Sequence, residues 1–162
     1  MKVETLADLF VQEMQDLYSA ETQLVHALPK VAKAATSIEL QNAFQNHLEQ
    51  TKEHVQRIEQ IFRHIEGSPK GHKCVAMEGL IKEGEELIRE NMREEVLDAA
   101  LIGAAQRVEH YEIAAYGSAR SHAAHLGYGQ VLSLLQQTLD EEKAADEKLT
   151  WIAERQVNEY AK

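Results

Sequence analysis

Apolar residues recur at three- and four-residue steps through most of the chain, the spacing that gathers them on one face of an α-helix. Leu6, Phe10, Leu17, Leu24, Leu28 and Val31 trace the first such face and predict a helix from residue 4 to about 35. Pro29 falls inside it and predicts a kink or a break, since proline lacks a backbone donor and crowds the preceding turn. Ser37 suits the N-cap of a second helix, whose face carries Leu40, Phe44, Leu48, Thr51, Val55, Ile58 and Phe62 and which is expected to end near Glu66-Gly67. So short a link makes the two helices antiparallel. Gly67-Ser68-Pro69-Lys70-Gly71-His72 is the clearest loop. A shorter helix is predicted from residue 74 to about 91, then long ones from 94 to about 126 and 129 to about 160, divided by Gly127-Tyr128-Gly129.

At about 1.5 Å per residue the four long helices reach roughly 45 to 50 Å and can lie side by side. A connection of about 26 residues between the second and third is too long for a hairpin but can return the chain along the bundle. The expected fold is all-α, a ferritin-like four-helix bundle with one long crossover carrying the extra short helix. The expected organisation is one domain over residues 1–162. Composition agrees, with 44% apolar residues, 2 Pro and 8 Gly, a balance that favours long helices over a turn-rich β architecture.

Charge narrows the partners. With 27 Asp and Glu against 17 Lys and Arg, the net charge of −10 repels phosphate backbones and anionic membranes, so neither nucleic acid nor a membrane is expected as partner. Cys74 stands alone and cannot form an internal disulfide, and eight histidines without a second cysteine argue against a structural zinc site. Cys74 itself reads as a small buried residue. The start, Met1-Lys2-Val3-Glu4-Thr5, lacks the pattern of a signal peptide, and no stretch approaches the roughly 20 apolar residues of a membrane span. A soluble, cytoplasmic protein is the expectation.

Several carboxylates interrupt the apolar faces. Glu21 stands one turn after Leu17 on the first helix, in line with Phe10, Met14, Leu24 and Leu28. On the last helix Leu135 and Leu139 lead to Glu142 and Asp146 before Leu149 resumes the stripe. The third long helix carries Glu109 and Glu112 along Ile102, Ala105 and Tyr116, with Glu112 the better placed. The second offers no acid in strict core phase, but Glu49, Glu53, His47 and His54 flank its stripe, so Glu49 or His54 is the candidate there. An unpartnered carboxylate in an apolar core is penalised by several kcal/mol, and like charges at one level repel. Hard cations with oxygen ligands relieve both, and two ions about 3.5 to 4 Å apart bridged by Glu is an arrangement such bundles support. Glu86, Glu90, Glu94 and Glu95 read as a solvated face, Tyr18, Tyr111 and Tyr116 as packing residues near the acids, and His122 and His125 as exposed positions beyond them.

Five runs are similar to the YciE/YciF family of ferritin-like stress proteins, especially its YciF branch: Tyr18-Ser19-Ala20-Glu21-Thr22-Gln23-Leu24, His47-Leu48-Glu49-Gln50-Thr51, Lys73-Cys74-Val75-Ala76-Met77-Glu78-Gly79-Leu80-Ile81, Val108-Glu109-His110-Tyr111-Glu112-Ile113-Ala114 and Thr138-Leu139-Asp140-Glu141-Glu142-Lys143-Ala144-Ala145-Asp146. The resemblance covers nearly the whole chain. It implies a ferritin-like bundle, a homodimer, induction under stress, and metal bound at a position like that of rubrerythrin or bacterioferritin. Candidate ligands are then Glu21, Glu49, His54, Glu109, Glu112, Glu142 and Asp146. The sequence departs from the Glu-x-x-His pattern of di-iron relatives, since Lys52 follows Glu49 by three and Ala145 follows Glu142 by three. Asp146 is the substitute ligand on the last helix and His54 on the second. The expected cofactor is dinuclear, with iron first and manganese or zinc as alternatives. A rubrerythrin-like oxidoreductase or a ferroxidase is the leading function. The rival is a non-enzymatic dimeric stress protein with a vestigial polar centre.

Overall fold

In the computed structural model, which describes residues 2–162, five α-helices follow one another and no strand occurs among the described residues. Met1, part of the N-terminal run considered above, lies outside them. The helices are α1 (Leu6–Ala34), α2 (Ile38–Ile61), α3 (Val75–Arg89), α4 (Glu94–His125) and α5 (Gly129–Ile152). Among the described residues no helix is long and apolar enough to cross a membrane.

Local chemistry explains the helix ends. Thr5 and Asp8 form a reciprocal capping box, with Asp8 N donating to Thr5 Oγ1 at 3.1 Å and Thr5 N to Asp8 Oδ2 at 2.9 Å. α1 runs through Pro29 without a break. The proline is exposed, so its ring stands on the outer side of the helix, while Leu28 and Ala32 remain buried. α2 stops at Ile61, earlier than the sequence suggested, because the next bonds tighten to Arg63 N→Gln60 O and His64 N→Ile61 O, and the chain then turns through Gly67 at φ 123°. α5 also ends early. Ala153–Val157 widens into a π-turn, closed by Asn158 N→Ala153 O at 2.9 Å, and this turn carries Val157 into the core.

Four helices form a closed ring of neighbours, with α1 against α2 and α4, and α5 against α2 and α4. Phe10, Met14 and Leu17 of α1 share a cluster with Ile58 and Ile61 at the far end of α2, and with Tyr116, Ala119, Val131 and Leu135. A second cluster joins Leu24 and Leu28 to Leu40, Phe44, Leu101, Ile102, Leu149 and Ile152. Helices joined by the short links are therefore antiparallel. α3 lies outside the ring against α1 and α4, where Met77 is fully buried. Its first turn is tied to α1, because Cys74 N donates to Ser19 Oγ at 2.9 Å and Gln23 Nε2 to the Cys74 carbonyl at 3.0 Å.

One buried carboxylate is structural. Asp98 of α4, 3% exposed, accepts Thr36 N, Thr36 Oγ1 and Ser37 N at 2.8, 2.7 and 2.8 Å. It satisfies the backbone of the tight α1–α2 link, donors that the first turn of α2 leaves free.

Candidate metal centre

The two apolar clusters are separated by a polar layer. The buried face of α2 runs Leu40, Phe44, His47, Thr51, His54, Ile58, Ile61, so the helical phase that supplies core residues at both ends supplies two imidazoles in the middle. α1 contributes Glu21, α4 contributes Glu109 and Glu112, and α5 contributes Glu142; with His47 and His54 all are 7% exposed or less. Single donor atoms of His47, Glu109, Glu112 and Glu142 lie within 4.8 Å of one another, and so do those of Glu21, His54 and Glu142. Glu142 belongs to both groups.

This layer leaves its donors unsatisfied. Among the described residues, eleven buried side-chain N and O atoms lack a hydrogen-bond partner, and nine of them belong to these six residues. Both oxygens of Glu112 and of Glu142 are among them, as are both nitrogens of His47. His47 Nε2 stands 3.2 Å from Glu109 Oε1, and His54 Nδ1 3.0 Å from Glu142 Oε1 and 3.3 Å from Glu21 Oε1, in each case off the line of a hydrogen bond. Native proteins seldom leave so many buried polar atoms without partners at one level. Four carboxylates and two imidazoles with free lone pairs fit one or two hard or borderline cations.

Supporting contacts hold the donors in place. His54 Nε2 meets Glu141 Oε2 at 2.8 Å, which Arg57 Nη1 also contacts at 2.8 Å while it donates to Thr138 Oγ1 at 2.6 Å. A carboxylate on one imidazole nitrogen fixes the ring and frees the other for an ion, the usual environment of a metal-bound histidine. Tyr116 OH donates to Glu21 Oε1, and its ring packs edge-on to His54.

Electrostatics follow the packing. Burial, and then the Glu142 charge, pushes Glu109 and Glu112 well above the ordinary carboxyl range. Burial also raises Glu21 and lowers His47. His54 goes the other way: burial opposes its charge, but the Glu142 and Glu21 carboxylates push it up to about 11. For Glu142, burial is outweighed by His54 and His47, and its carboxyl is held below the usual value.

Five of the residues singled out from sequence, Glu21, His54, Glu109, Glu112 and Glu142, meet in this layer. Glu49 does not. It is exposed and paired with Lys52 at 2.7 Å, because α2 turns the face two positions away toward the core. Asp146, one turn past Glu142, sits at the rim, where Gln106 Nε2 donates to it at 3.1 Å and His110 Nε2 lies 3.2 Å away. His47 joins the layer although Glu49 and His54 were preferred to it on sequence. The signal that finds it is the unbroken three–four spacing from Phe44 through His47, Thr51 and His54 to Ile58. Away from the layer, Tyr18 OH donates to Glu59, Tyr111 OH to Asp16 at 2.6 Å, and Cys74 Sγ lies 3.0 Å from Tyr111 OH. His122 is half-buried against Glu13 at 2.7 Å, whereas His125 is exposed.

Residues 5–162 match the family model described as a domain of unknown function, DUF892. The chain is 48% identical over 162 residues to Protein YciF of Escherichia coli K12, covering 99% of this chain and 98% of that protein. The crystal structure of the E. coli stress protein YciF superposes with a TM-score of 0.93 over 96% of this chain and 99% of that one. YcfI of Rhodopseudomonas palustris, provisionally described as a structural protein, is 41% identical with a TM-score of 0.89, covering 92% and 95% of the two chains. A Xanthomonas campestris protein with 20% identity and a TM-score of 0.78 over 96% of each chain shares the fold. The match to the family model and the near-complete alignment with YciF together show that the chain belongs to the DUF892 family, the family of YciF.

Proposed function

We propose that this chain is a ferritin-like four-helix bundle, its second and third long helices joined by the crossover that carries α3, and that its core holds a dinuclear metal centre serving a stress response. The observation that carries the reading is the layer of nine unpartnered buried donor atoms arranged as two groups that share Glu142. Four carboxylates balance the charge of two divalent cations, with the imidazoles neutral. His47, Glu109 and Glu112 would hold one ion, Glu21 and His54 the other, and Glu142 both.

Bound iron would supply electrons to dioxygen or peroxide; manganese and zinc are the alternative ions. The chain's own part is to orient and to manage protons. Glu141, anchored by Arg57, directs His54 Nδ1 toward Glu21 and Glu142. Tyr116 fixes one oxygen of Glu21 and leaves the other free. Burial favours the protonated form of Glu109 and Glu112, and a bound ion would displace those protons. The description of YciF as a stress protein supports a stress-linked role, and the carboxylate-rich donor set suits a rubrerythrin-like oxidoreductase or a ferroxidase. A cytoplasmic homodimer is the proposed setting.

The test is metal analysis of protein purified without chelator, with anomalous scattering at the iron edge and anaerobic Fe(II) titration. Two ions per chain between the helices support the reading, and rates with O2 and with peroxide then separate ferroxidase from peroxidase activity. A second reading, a non-enzymatic structural protein with a polar centre, draws on the charge compensation that Arg57 and His54 already provide to Glu141, Glu142 and Glu21. It prevails if no ion loads and Glu142→Gln stabilises the fold.

A further inference from the structure

A cavity of about 420 Å³ lies beside the polar layer, on the side of the Leu24–Leu149 cluster. Leu28, Phe44, Leu101 and Leu149 form part of its wall, and small residues such as Ala43, Ala105 and Ala145 hold the space open between the helices. Among its polar lining residues only His47 and Glu109 are buried; Lys30, Asn42, Asn46 and Lys148 are exposed at its edge. Glu39 is exposed there too, and Gln50, Glu85 and Glu141 are half-buried in the lining, so the space is mostly apolar inside, wet at the rim, and polar where it meets the carboxylate layer.

We propose that this cavity binds a small aliphatic molecule with one neutral oxygen-bearing end, of the alcohol, aldehyde or hydroperoxide class, seated with that end against His47 and Glu109. The size falls within the range of about 300–1,000 Å³ typical of small-molecule sites. Most of the inner wall is aliphatic or aromatic carbon, so an alkyl chain is favoured over water there. Both His47 nitrogens lack hydrogen-bond partners, so with one of them given to an ion the other is still left for a hydroxyl or carbonyl at the inner end. A carboxylate head would have to shed its water beside Glu109 and three further buried acids with no cation of the described residues at that end, so a neutral head is selected.

The proposal deepens the metal-centre reading, since it places a guest at the edge of that centre, but binding needs only the chain. The experiment titrates 1-octanol, and separately octanoate, into the full chain before and after chelation, following methyl resonances by 13C-edited NMR. Expected are saturable shifts confined to Ala43, Ala105, Leu28 and Leu149, with octanoate at least 10-fold weaker. Ala105→Leu, and independently Ala145→Leu, fills the space and weakens octanol at least 10-fold while the melting temperature holds or rises and metal loading is unchanged. No saturable shift up to the solubility limit, unchanged affinity in the filled variants, or octanoate binding as well as octanol overturns the proposal. Failure to load metal with octanol binding intact sinks only the metal reading, and the converse result sinks only this one.

Discussion

His54 Nδ1 lies 3.0 Å from Glu142 Oε1, which puts an imidazole from α2 against the one carboxylate common to both candidate ligand groups. The two residues therefore have separable mutational signatures. Glu142→Gln removes a ligand from both groups and is expected to abolish loading of both ions, a loss in affinity of more than about 100-fold. His47→Ala touches one group only and should reduce uptake from two ions to one. Metal content by mass spectrometry, with circular dichroism to confirm the helices, distinguishes these outcomes.

Stability of the metal-free chain should fall as pH rises. A carboxyl whose folded pKa is raised above its ordinary 4.5 contributes fully below 4.5 and loses that contribution as pH climbs through the folded value; Glu109 and Glu112 are both of this kind. His54, raised from 6.5 to about 11, contributes fully below 6.5 and loses its contribution only as pH approaches 11. Glu142, lowered from 4.5, acts in the opposite sense and loses its contribution as pH drops below 4.5. His47, lowered from 6.5, also acts in the opposite sense and loses its contribution as pH drops below 6.5, whereas Glu21, raised from 4.5, adds to Glu109 and Glu112. Above 6.5 the raised carboxyls set the slope. Melting temperatures of chelated protein should therefore decrease as pH rises above about 6.5, and Glu112→Gln should flatten the slope. Metal uptake should strengthen over the same interval, because ions displace these protons.

The helices were legible because each long one buries a single stripe, and the three- and four-residue spacing of Phe10, Met14, Leu17 or of Leu135, Leu139 survives any detail of packing. Glu21, Glu112 and Glu142 could be read because an acid interrupts an otherwise apolar row. On α2 the same logic misled. Leu48 and Val55 look more like core than His47 and His54, yet both leucine and valine sit half-buried one position off the inner line. Polar residues at core positions are invisible to a hydrophobic count, and only the continuous phase from Leu40 to Ile61 exposes them. The π-turn after Ile152 left no sequence signal because it is set by docking Val157 onto the core.

Asp98 supplies a test of the fold that is independent of the centre. Asp98→Ala strands the buried donors of Thr36 and Ser37, and hydrogen bonds to a charged acceptor contribute about 1.5–3 kcal/mol each before compensation by water. A net loss of about 2–4 kcal/mol is expected, which for a chain of this size lowers the melting temperature by roughly 5–15 °C. Metal stoichiometry measured at room temperature should not change. A loss of bound metal in the still-folded variant would tie the α1–α2 link to the centre.

The hydrogen-bonding link from the Glu141 side chain to the ligand groups runs through His54, so its replacement tests the effect of orientation. Its carboxylate accepts from Arg57 and lies 2.8 Å from His54 Nε2. In Glu141→Ala the imidazole can rotate or change tautomer, and Arg57, 8% exposed, loses its anionic partner. Second-layer changes of this type typically lower metal affinity about 10–100-fold. Stoichiometry should stay at two ions, unlike in Glu142→Gln, while the affinity of the Glu21–His54–Glu142 group falls and that of the His47 group is retained. Glu141→Gln keeps a carbonyl acceptor for His54 and should restore part of the loss. Competition titrations against a chelator of known affinity resolve the two ions, and an equal weakening of both would show that Glu141 acts on the fold as a whole instead of on His54.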